Sequence, residues 1–331
     1  MKRATVLLVC LLISALPLLA QEQGEEAPLF PVGQHGKWGY MDKTGKLVIP
    51  PRFDYAFPFS EGMAPVVIGG KEGYIDKTGK VVIAPRFACV LDFCEGLAAV
   101  ELGGEYGYLD KTGKFVIEPR SGGGSRFSEG LARVRVDGKS GYIDKAGKLV
   151  IEVRFDSADP FSEGVACVKI EGKYGYIDKT GKFVIEARFD GASTFSEGLG
   201  RVSIGGKHGY IDKAGKLVIQ ARFDSASPFH EGLAAVKIGG KGGYIDKTGK
   251  LVIEPRFVDY AWGFSGGLAQ VRIAGKWGYI DKTGKLVIEA RFDSADPFSE
   301  GLAAVKIDGK WGYIDKEGRY VWYPTEWRSA P

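Results

Sequence analysis

Cysteine and histidine are scarce in this sequence, with only four cysteines and three histidines in 331 residues. One cysteine lies in an N-terminal apolar run, and the other three are an odd number, which excludes a complete disulfide framework. His35, His208 and His230 do not stand at ligand spacing from any cysteine. The sequence therefore predicts no zinc site, no other metal site and no other cofactor.

The chain also lacks a marked excess of either charge. It contains 45 lysines and arginines against 41 aspartates and glutamates. Loss of the first twenty residues would leave 43 basic against 41 acidic side chains. A balance so close to zero provides no electrostatic footprint for nucleic acid or for an anionic membrane surface. Neither is predicted as a partner.

Long apolar runs are absent apart from one at the N-terminus. Lys2 and Arg3 precede that run, which ends at the small residue Ala20. A basic start, an apolar middle and a small residue at the end are typical of a secretory signal peptide. The alternative is a membrane anchor, but the run is short for a span. We therefore predict export to the periplasm, cell surface or extracellular space, without membrane insertion after cleavage.

Glycine, in contrast, is abundant, with 49 residues that mostly recur at fixed positions. A core of Gly, Tyr, a hydrophobic residue and Asp returns nine times, at seven intervals of 34 residues and one of 35. Such a period is the signature of a repeat architecture. The cores begin at Gly39, Gly73, Gly107, Gly141, Gly175, Gly209, Gly243, Gly278 and Gly312.

Each copy of the repeat predicts three β-strands. The first, of the type Lys37 to Met41, is joined to a second by an Asp-Lys-Thr-Gly turn. Asp suits the first position of a type I turn, and Gly suits the left-handed position that follows. A third strand, such as Leu233 to Ile238, meets the next copy through a two-residue turn such as Asp137-Gly138. The sequence thus predicts nine antiparallel three-stranded meanders.

The linkers between copies carry two recurring phenylalanines. A three-stranded sheet has little core of its own, so we expect these rings to be buried between neighbouring units. The expected pairs are Phe53 with Phe59, Phe155 with Phe161, and Phe292 with Phe298.

Charged residues recur in the linkers and turns as well. An arginine precedes the first linker phenylalanine and a glutamate precedes the linker glycine in most copies, although Gly266 replaces the glutamate once. Repetition in seven or eight copies favours a structural contact over an active site, and we predict a repeated Arg–Glu pair. Two lysines flank each turn, as Lys43 and Lys46 do. They would form either a basic stripe for an acidic polysaccharide or a solvated rim.

The repeat resembles the bacterial WG-repeat proteins, also described as KWG-type repeats. The resemblance rests on the string from Lys276 to Ile288, followed by Arg-Phe and Phe-Ser-Glu-Gly, and it covers nearly all of residues 29–324. It implies tandem β-hairpins with a binding or scaffolding role and no catalytic role. The defining tryptophan survives only at Trp38, Trp277 and Trp311.

Aromatic side chains are the candidate binding residues. Trp38, Trp277 and Trp311 are predicted to be exposed, because other copies tolerate Glu, Ser or Gly at this site. Tyr260 and Trp262 lie in an irregular linker that carries a one-residue insertion. Stacked aromatic rings can bind sugar faces or extended peptides. The invariant tyrosines of the Gly-Tyr cores are instead interpreted as packing residues.

Cys89 and Cys94 share one linker, at positions where sister copies have other small residues. In an oxidising compartment they could form a disulfide bond. They could equally replace serines without any covalent role.

We predict an all-β protein whose repeats form an elongated, solenoid-like array. The alternative is a closed propeller-like ring with the first strand beside the last two, although 34 residues is short for a four-stranded blade. The predicted segments are a signal peptide at 1–20, a flexible mature N-terminus at 21–28, nine repeats at 29–324 and a C-terminal tail at 325–331.

The predicted function is that of an exported, non-enzymatic scaffold that offers a long surface to a protein partner. The alternative is a module that binds cell-wall or other envelope polysaccharide. The sequence has no unique Ser/His/Asp, Cys/His or metal-binding constellation, so no catalytic residue is predicted.

Overall fold

The computed structural model describes residues 27–257 and 262–323, and its regular structure consists of β-strands arranged in nine antiparallel sheets. The first sheet contains β1 (Phe30–Gln34), β2 (Lys37–Met41) and β3 (Leu47–Phe53). The second contains β4 (Tyr55–Ala56), β5 (Met63–Ile68), β6 (Lys71–Asp76) and β7 (Val81–Phe87). The third contains β8 (Cys89–Val90), β9 (Ala98–Leu102), β10 (Glu105–Leu109) and β11 (Phe115–Arg120).

The fourth sheet contains β12 (Gly123–Ser128), β13 (Leu131–Val136), β14 (Lys139–Asp144) and β15 (Leu149–Phe155). The fifth contains β16 (Ser157–Ala158), β17 (Ala166–Ile170), β18 (Lys173–Ile177) and β19 (Phe183–Phe189). The sixth contains β20 (Gly191–Ser196), β21 (Leu199–Ile204), β22 (Lys207–Ile211) and β23 (Leu217–Phe223).

The seventh sheet contains β24 (Ser225–Ala226), β25 (Leu233–Ile238), β26 (Lys241–Asp246) and β27 (Leu251–Phe257). The eighth contains β28 (Ala269–Ile273), β29 (Lys276–Ile280) and β30 (Leu286–Phe292). The ninth contains β31 (Ser294–Ala295), β32 (Ala303–Ile307), β33 (Lys310–Ile314) and β34 (Tyr320–Trp322). The described part of the chain has no helix long and apolar enough to cross a membrane. The predicted signal peptide lies outside it.

The first and last sheets pack against each other and close the array into a ring. The rings of Phe30 and Tyr313 lie edge to face, with their centroids 5.7 Å apart. The Tyr313 hydroxyl donates a hydrogen bond to the Pro31 carbonyl oxygen at 3.0 Å. Phe30 and Leu302 share one apolar cluster, against which Trp322 packs. The prediction of an elongated solenoid is therefore wrong, and the alternative of a nine-bladed propeller fits the structure.

Most blades contain four strands, so the predicted three-stranded unit is also incomplete. The additional strand comes from the linker and has as few as two paired residues. In blade 5, Ser157 pairs with Lys169 and Ala158 with Val168. A four-stranded blade fits into a short repeat because its first strand needs so few residues. In blade 8 the corresponding residues lie outside the described part of the chain.

The predicted turns are confirmed. In the Asp-Lys-Thr-Gly turn, the Gly45 amide donates to the Asp42 carbonyl at 3.0 Å, and Gly45 adopts a φ of +87°. The Asp42 carboxylate accepts the Thr44 amide at 2.8 Å. In the two-residue turns both residues have positive φ, +47° at Asp137 and +80° at Gly138. These values are those of a type I′ hairpin turn.

In blades 1 to 8, the glycine of the Gly-Tyr core lies beneath a β-bulge of the following strand. In blade 5, Tyr174 pairs with Phe189 and Tyr176 with Ile185, so four steps along β19 oppose two along β18. The surplus residues fold over Gly175. A Cβ atom on Gly175 would lie 2.6 Å from the Ile185 carbonyl oxygen, which explains why this position holds glycine.

The core of the ring lies between blades, as the linker phenylalanines predict. Phe155 and Phe161 are buried with Tyr142 in one cluster that joins blades 4 and 5. The Tyr142 and Phe161 rings are 4.9 Å apart at 61°, and the Tyr142 hydroxyl donates to the Asp159 carbonyl oxygen at 2.6 Å. The invariant tyrosines are thus packing residues. Of the six phenylalanines predicted to be buried, Phe59 alone is only half-buried.

Candidate functional site

The residues at the tryptophan position are less accessible than predicted. Trp38 is only 6% exposed, and its ring lies 4.4 Å from that of Tyr55. Trp277 and Trp311 are half-buried, with the Arg272 and Lys306 cations 6.0 Å from their respective ring centroids. The expectation of exposed tryptophans is wrong. At Trp38 and Trp277 the reason is the following linker strand, which places Tyr55 and Ala295 in the same region of the core.

Trp262 is different, since 57% of its surface is exposed. Its backbone is held in place, because its carbonyl oxygen accepts the Tyr244 hydroxyl at 2.7 Å. Tyr260, the other aromatic candidate in this linker, lies outside the described residues. Trp262 therefore remains an accessible aromatic side chain on a fixed backbone.

Cys89, Cys94 and Cys167 are free thiols in the structure, so Cys89 and Cys94 do not form the disulfide that their shared linker allows. Burial raises the pKa of the Cys89 thiol, and the Glu72 carboxylate adds to this effect. Burial also raises the pKa of the Cys94 thiol. Both thiols are thereby kept protonated, which is the opposite of what a nucleophilic cysteine requires.

The recurring arginine contacts backbone and ring rather than a carboxylate. In blade 5, Arg188 donates from Nη2 to the Gly215 carbonyl oxygen of the next blade at 2.7 Å. Its guanidinium carbon lies 5.1 Å from the centroid of the Phe189 ring. The predicted Arg–Glu pair is therefore wrong. The arginine instead joins the last strand of one blade to the Asp-Lys-Thr-Gly turn of the next.

The recurring glutamate pairs with a lysine of the following blade. The Glu129 carboxylate lies 3.1 Å from Lys179 Nζ and accepts the Gly164 amide at 3.0 Å. In six of the turns the first lysine is thus an ion-pair partner rather than part of a free basic stripe. The pairs are Glu61–Lys111, Glu95–Lys145, Glu129–Lys179, Glu163–Lys213, Glu197–Lys247 and Glu231–Lys282.

These glutamates adopt left-handed backbone conformations, with φ of +52° at Glu129 and +54° at Glu163. A residue with a Cβ loses roughly 1–2 kcal/mol in this region relative to glycine. The carboxylate contacts offset this cost, since they satisfy an amide and a lysine of the neighbouring blade.

The array of Glu–Lys pairs is interrupted on both sides of blade 9. Gly266 takes the place of the glutamate in blade 8, and a Cβ on Gly266 would lie 3.6 Å from Lys316 Nζ. Glu300 of blade 9 and Lys43 of blade 1 occupy paired positions of the repeat, yet no ion pair joins them in the described part of the chain. We call Lys43, Glu300 and Lys316 the seam cluster. All three side chains are exposed.

A cavity of about 650 Å³ opens at the same place, between blades 9, 1 and 2. Phe30, Phe59 and Leu302 contribute apolar surface to its lining, and Lys43 and Glu300 contribute charge. Its volume is within the range of protein ligand sites. The cavity also explains why Phe59 is only half-buried. Sequence analysis missed this site, although the loss of the glutamate at Gly266 pointed to blade 8 as irregular.

Carboxylates throughout the ring make its stability sensitive to acid. The side-chain hydrogen bond from Thr44 and the amides of Thr44 and Lys46 lower the pKa of Asp42 below its ordinary value of 3.8. For Glu129, burial alone would raise the pKa, but Lys179 and the Gly164 amide outweigh it and lower the pKa below 4.5. Groups with depressed folded pKa values stabilise the protein above their unfolded values, and that stability is lost as the pH falls through the folded values.

We therefore expect the midpoint of thermal unfolding to be nearly constant from pH 7 to about pH 5.5 and to fall by roughly 10 °C or more between pH 5 and pH 3. Burial raises the pKa of Glu72 and Asp159, which gives a smaller effect of opposite sign. Scanning calorimetry across this pH range measures the net change in the unfolding midpoint that results from both effects. A midpoint that does not change down to pH 3 would contradict the role assigned to these carboxylates.

The fold is similar to that of a solved eukaryotic initiation factor, with a TM-score of 0.65 at 11% sequence identity over 89% of this chain and 95% of that one. BamB from Moraxella catarrhalis gives a TM-score of 0.47 at 12% identity over 75% of this chain and 91% of the other. At these identities the similarity concerns the fold alone. No curated protein matches the sequence.

The sequence profile of the WG containing repeat matches eight tandem segments. They are residues 38–71, 73–106, 106–139, 141–174, 174–207, 209–241, 243–277 and 277–311. The match covers most of the chain and has the same period as the blades, although each segment begins within one blade and ends in the next. The protein therefore belongs to the family of WG containing repeat proteins.

Proposed function

We propose that this propeller is an exported, non-enzymatic scaffold that binds a protein partner at the seam between its last and first blades. The observation that supports this proposal most directly is that the Glu–Lys array is interrupted beside a cavity with apolar walls. Elsewhere the charged groups at this end of the blades are paired with neighbours, as Glu129 and Lys179 are. The seam cluster instead presents charges that can pair with another molecule.

The chemistry of the seam suits a polypeptide. Phe30, Phe59 and Leu302 offer apolar surface for a side chain. Lys43 lines the same cavity beside the Glu300 carboxylate. Lys316 is exposed at the neighbouring junction with blade 8, so both lysines offer donors to carboxylates. Interfaces of this type combine a desolvated apolar centre with a charged rim. The partner segment that fits best therefore carries an apolar or aromatic residue next to Asp or Glu.

The non-enzymatic part of the proposal is supported by the roles of the recurring residues. The Arg188, Glu129 and Tyr142 types each make the same contacts between blades around the ring. Residues that make the same contact at many junctions are poor candidates for chemistry at one site. Export is supported by the signal-like N-terminal sequence that begins with Lys2 and Arg3.

Reversal of the seam charges tests the proposal. Compared with the unmodified protein, the double variant Lys43→Glu, Lys316→Glu is expected to lose roughly tenfold or more in partner retention, because it removes both cations from the seam. The control variant Lys182→Glu, Lys216→Glu makes the same change in charge at exposed lysines of regular blades and should retain the partner. Retention is measured by quantitative mass spectrometry of proteins bound from a cell-envelope extract.

A glycan array and a peptidoglycan pull-down test the polysaccharide-binding alternative. Specific sugar retention that is abolished by substitution of Trp262, Trp277 or Trp311, which are at least partly exposed, would contradict the proposal and favour the polysaccharide-binding alternative. Equal loss of the protein partner in the seam and control variants would also contradict it, since binding would then depend on net charge.

A further inference from the structure

The junction between blades 3 and 4 contains a second cavity, of about 230 Å³. Tyr106 and Tyr108 line it from blade 3, and Val134 and Ile143 line it from blade 4. It lies between blades, where the other junctions hold their cores. It is separate from the seam, and it arises from a different irregularity of the sequence.

Seven other junctions share one arrangement at this place. An arginine is followed by a phenylalanine, the phenylalanine ring is buried, and the guanidinium stacks over it at 5.0–5.2 Å. Each ring fills the space between two blades. The phenylalanines are Phe53, Phe87, Phe155, Phe189, Phe223, Phe257 and Phe292.

The junction between blades 3 and 4 keeps the arginine and lacks the ring. Arg120 is followed by Ser121 and three glycines, so no aromatic side chain is available. The strand also pairs differently: Arg120 lies opposite Tyr106, whereas Phe53 lies opposite Trp38 in blade 1. The chain therefore passes this junction without filling the space that a phenylalanine occupies elsewhere.

The exposure of the neighbouring Val134 agrees with the absence of the ring. Val134 is half-buried, whereas the valines at the same position of the other eight blades are at most 3% exposed. These valines are Val32, Val66, Val100, Val168, Val202, Val236, Val271 and Val305. An apolar wall that is buried in every other blade thus faces open space at this junction.

The cation that would cover a ring is still in position. Arg120 donates from Nη2 to the Gly147 carbonyl oxygen at 3.0 Å, which is the contact that Arg188 makes with Gly215. Arg120 also lines the cavity. A guanidinium held by the backbone of the next blade is preorganised for stacking on an aromatic face, because little of its side-chain freedom remains to be lost.

We propose that this cavity binds a planar aromatic ring of phenyl or indole size, which takes the place of the absent phenylalanine beneath Arg120. The volume admits one or two rings and excludes larger groups. Cation–π contact with Arg120 and edge-to-face contact with the two tyrosines favour an aromatic over an aliphatic group of the same size. The ring comes either from a free aromatic compound or from an aromatic side chain of a polypeptide.

Binding of small probes tests the assignment. Indole and N-acetyl-phenylalaninamide are titrated against the protein, and N-acetyl-cyclohexylalaninamide serves as the saturated match. We expect a Kd on the order of 1 mM or lower for an aromatic probe and about tenfold weaker binding of the saturated match, by titration NMR with Val134 or Tyr106 as reporter. Binding of indole alone indicates a free ligand, while binding of the amide as well indicates a polypeptide side chain.

A variant with a filled cavity serves as the control. Replacement of residues 121–126 by Phe-Asp-Ser-Ala-Asp-Pro, the sequence of residues 155–160, supplies the missing ring without a change in length. It should abolish probe binding and raise the melting temperature by several degrees. Val134→Phe fills the cavity from the opposite wall and keeps the test valid if the linker variant does not fold.

Two results would overturn the proposal. One is the absence of binding by either aromatic probe. The other is unchanged binding in both filled variants, since the probe would then bind elsewhere. Equal affinity for the aromatic and saturated amides would overturn the assignment of Arg120 as the stacking partner.

Discussion

Replacement of Gly175 by alanine is expected to destabilise the protein by about 3 kcal/mol or more, because the new methyl group has no space to occupy. A Cβ at this position would lie 2.6 Å from the Ile185 carbonyl oxygen and 2.7 Å from the Ala187 amide nitrogen. Both contacts are with backbone atoms of the bulged strand β19, so no side chain can move aside. Relief would require that the bulge unfold, which would disrupt the strand pair.

Gly172→Ala in the same blade is the matched control. Gly172 has a φ of +81°, but a Cβ there would meet no atom within 4 Å. The Gly172→Ala substitution should therefore reduce the stability by the backbone strain alone, about 1 kcal/mol. Urea unfolding of both variants measures the difference. Equal stabilities would contradict the idea that the close approach of β19 selects glycine in the Gly-Tyr cores, since Gly175 itself does not have a positive φ.

Phe161→Ala is expected to cost about 3–5 kcal/mol, since it removes a ring from the core between blades 4 and 5. Phe161 is 1% exposed and lies 4.9 Å from the Tyr142 ring. The cavity left behind would be bounded by strands of two blades that the Glu129–Lys179 pair holds in place. Little collapse is therefore available to reduce the loss.

Phe59→Ala is the control at the equivalent position of the seam. Phe59 is only half-buried and faces a cavity that already exists, so its removal should cost about 1–2 kcal/mol. Chemical unfolding of the two variants under identical conditions provides the comparison. If Phe59→Ala is as damaging as Phe161→Ala, the seam is a closed core, and the proposed interaction surface there would lose its support.

Much of the blade could be predicted from local sequence. The Asp42 to Gly45 turn and the Asp137-Gly138 turn follow from dipeptide preferences, and the structure confirms both. Closure of the ring could not be predicted in this way. It depends on contacts such as Tyr313 with Pro31, 282 residues apart, and identical repeats form the same local contacts in an open or a closed array.

The contacts between blades were predicted with mixed success, for a physical reason. Recurrence shows that the arginine and the glutamate each contact something that repeats, but it does not identify the partner. Glu129 reaches Lys179, fifty residues onward, because the two turns meet only when blades stack. The tryptophan position was predicted to be exposed because of its variability, yet a linker strand that sequence analysis did not recognise covers it.

The Glu–Lys pairs also give the ring a direction, since in each pair the glutamate contacts a lysine on the blade after it. Blades within this array therefore have a donor face and an acceptor face, in the manner of subunits in a head-to-tail cyclic oligomer. Contacts of this kind form filaments when rotation does not close them, and discrete rings when it does. In this chain the contact between Phe30 of blade 1 and Tyr313 of blade 9 closes the ring. Closure thereby protects the protein from polymerisation through its own repeats.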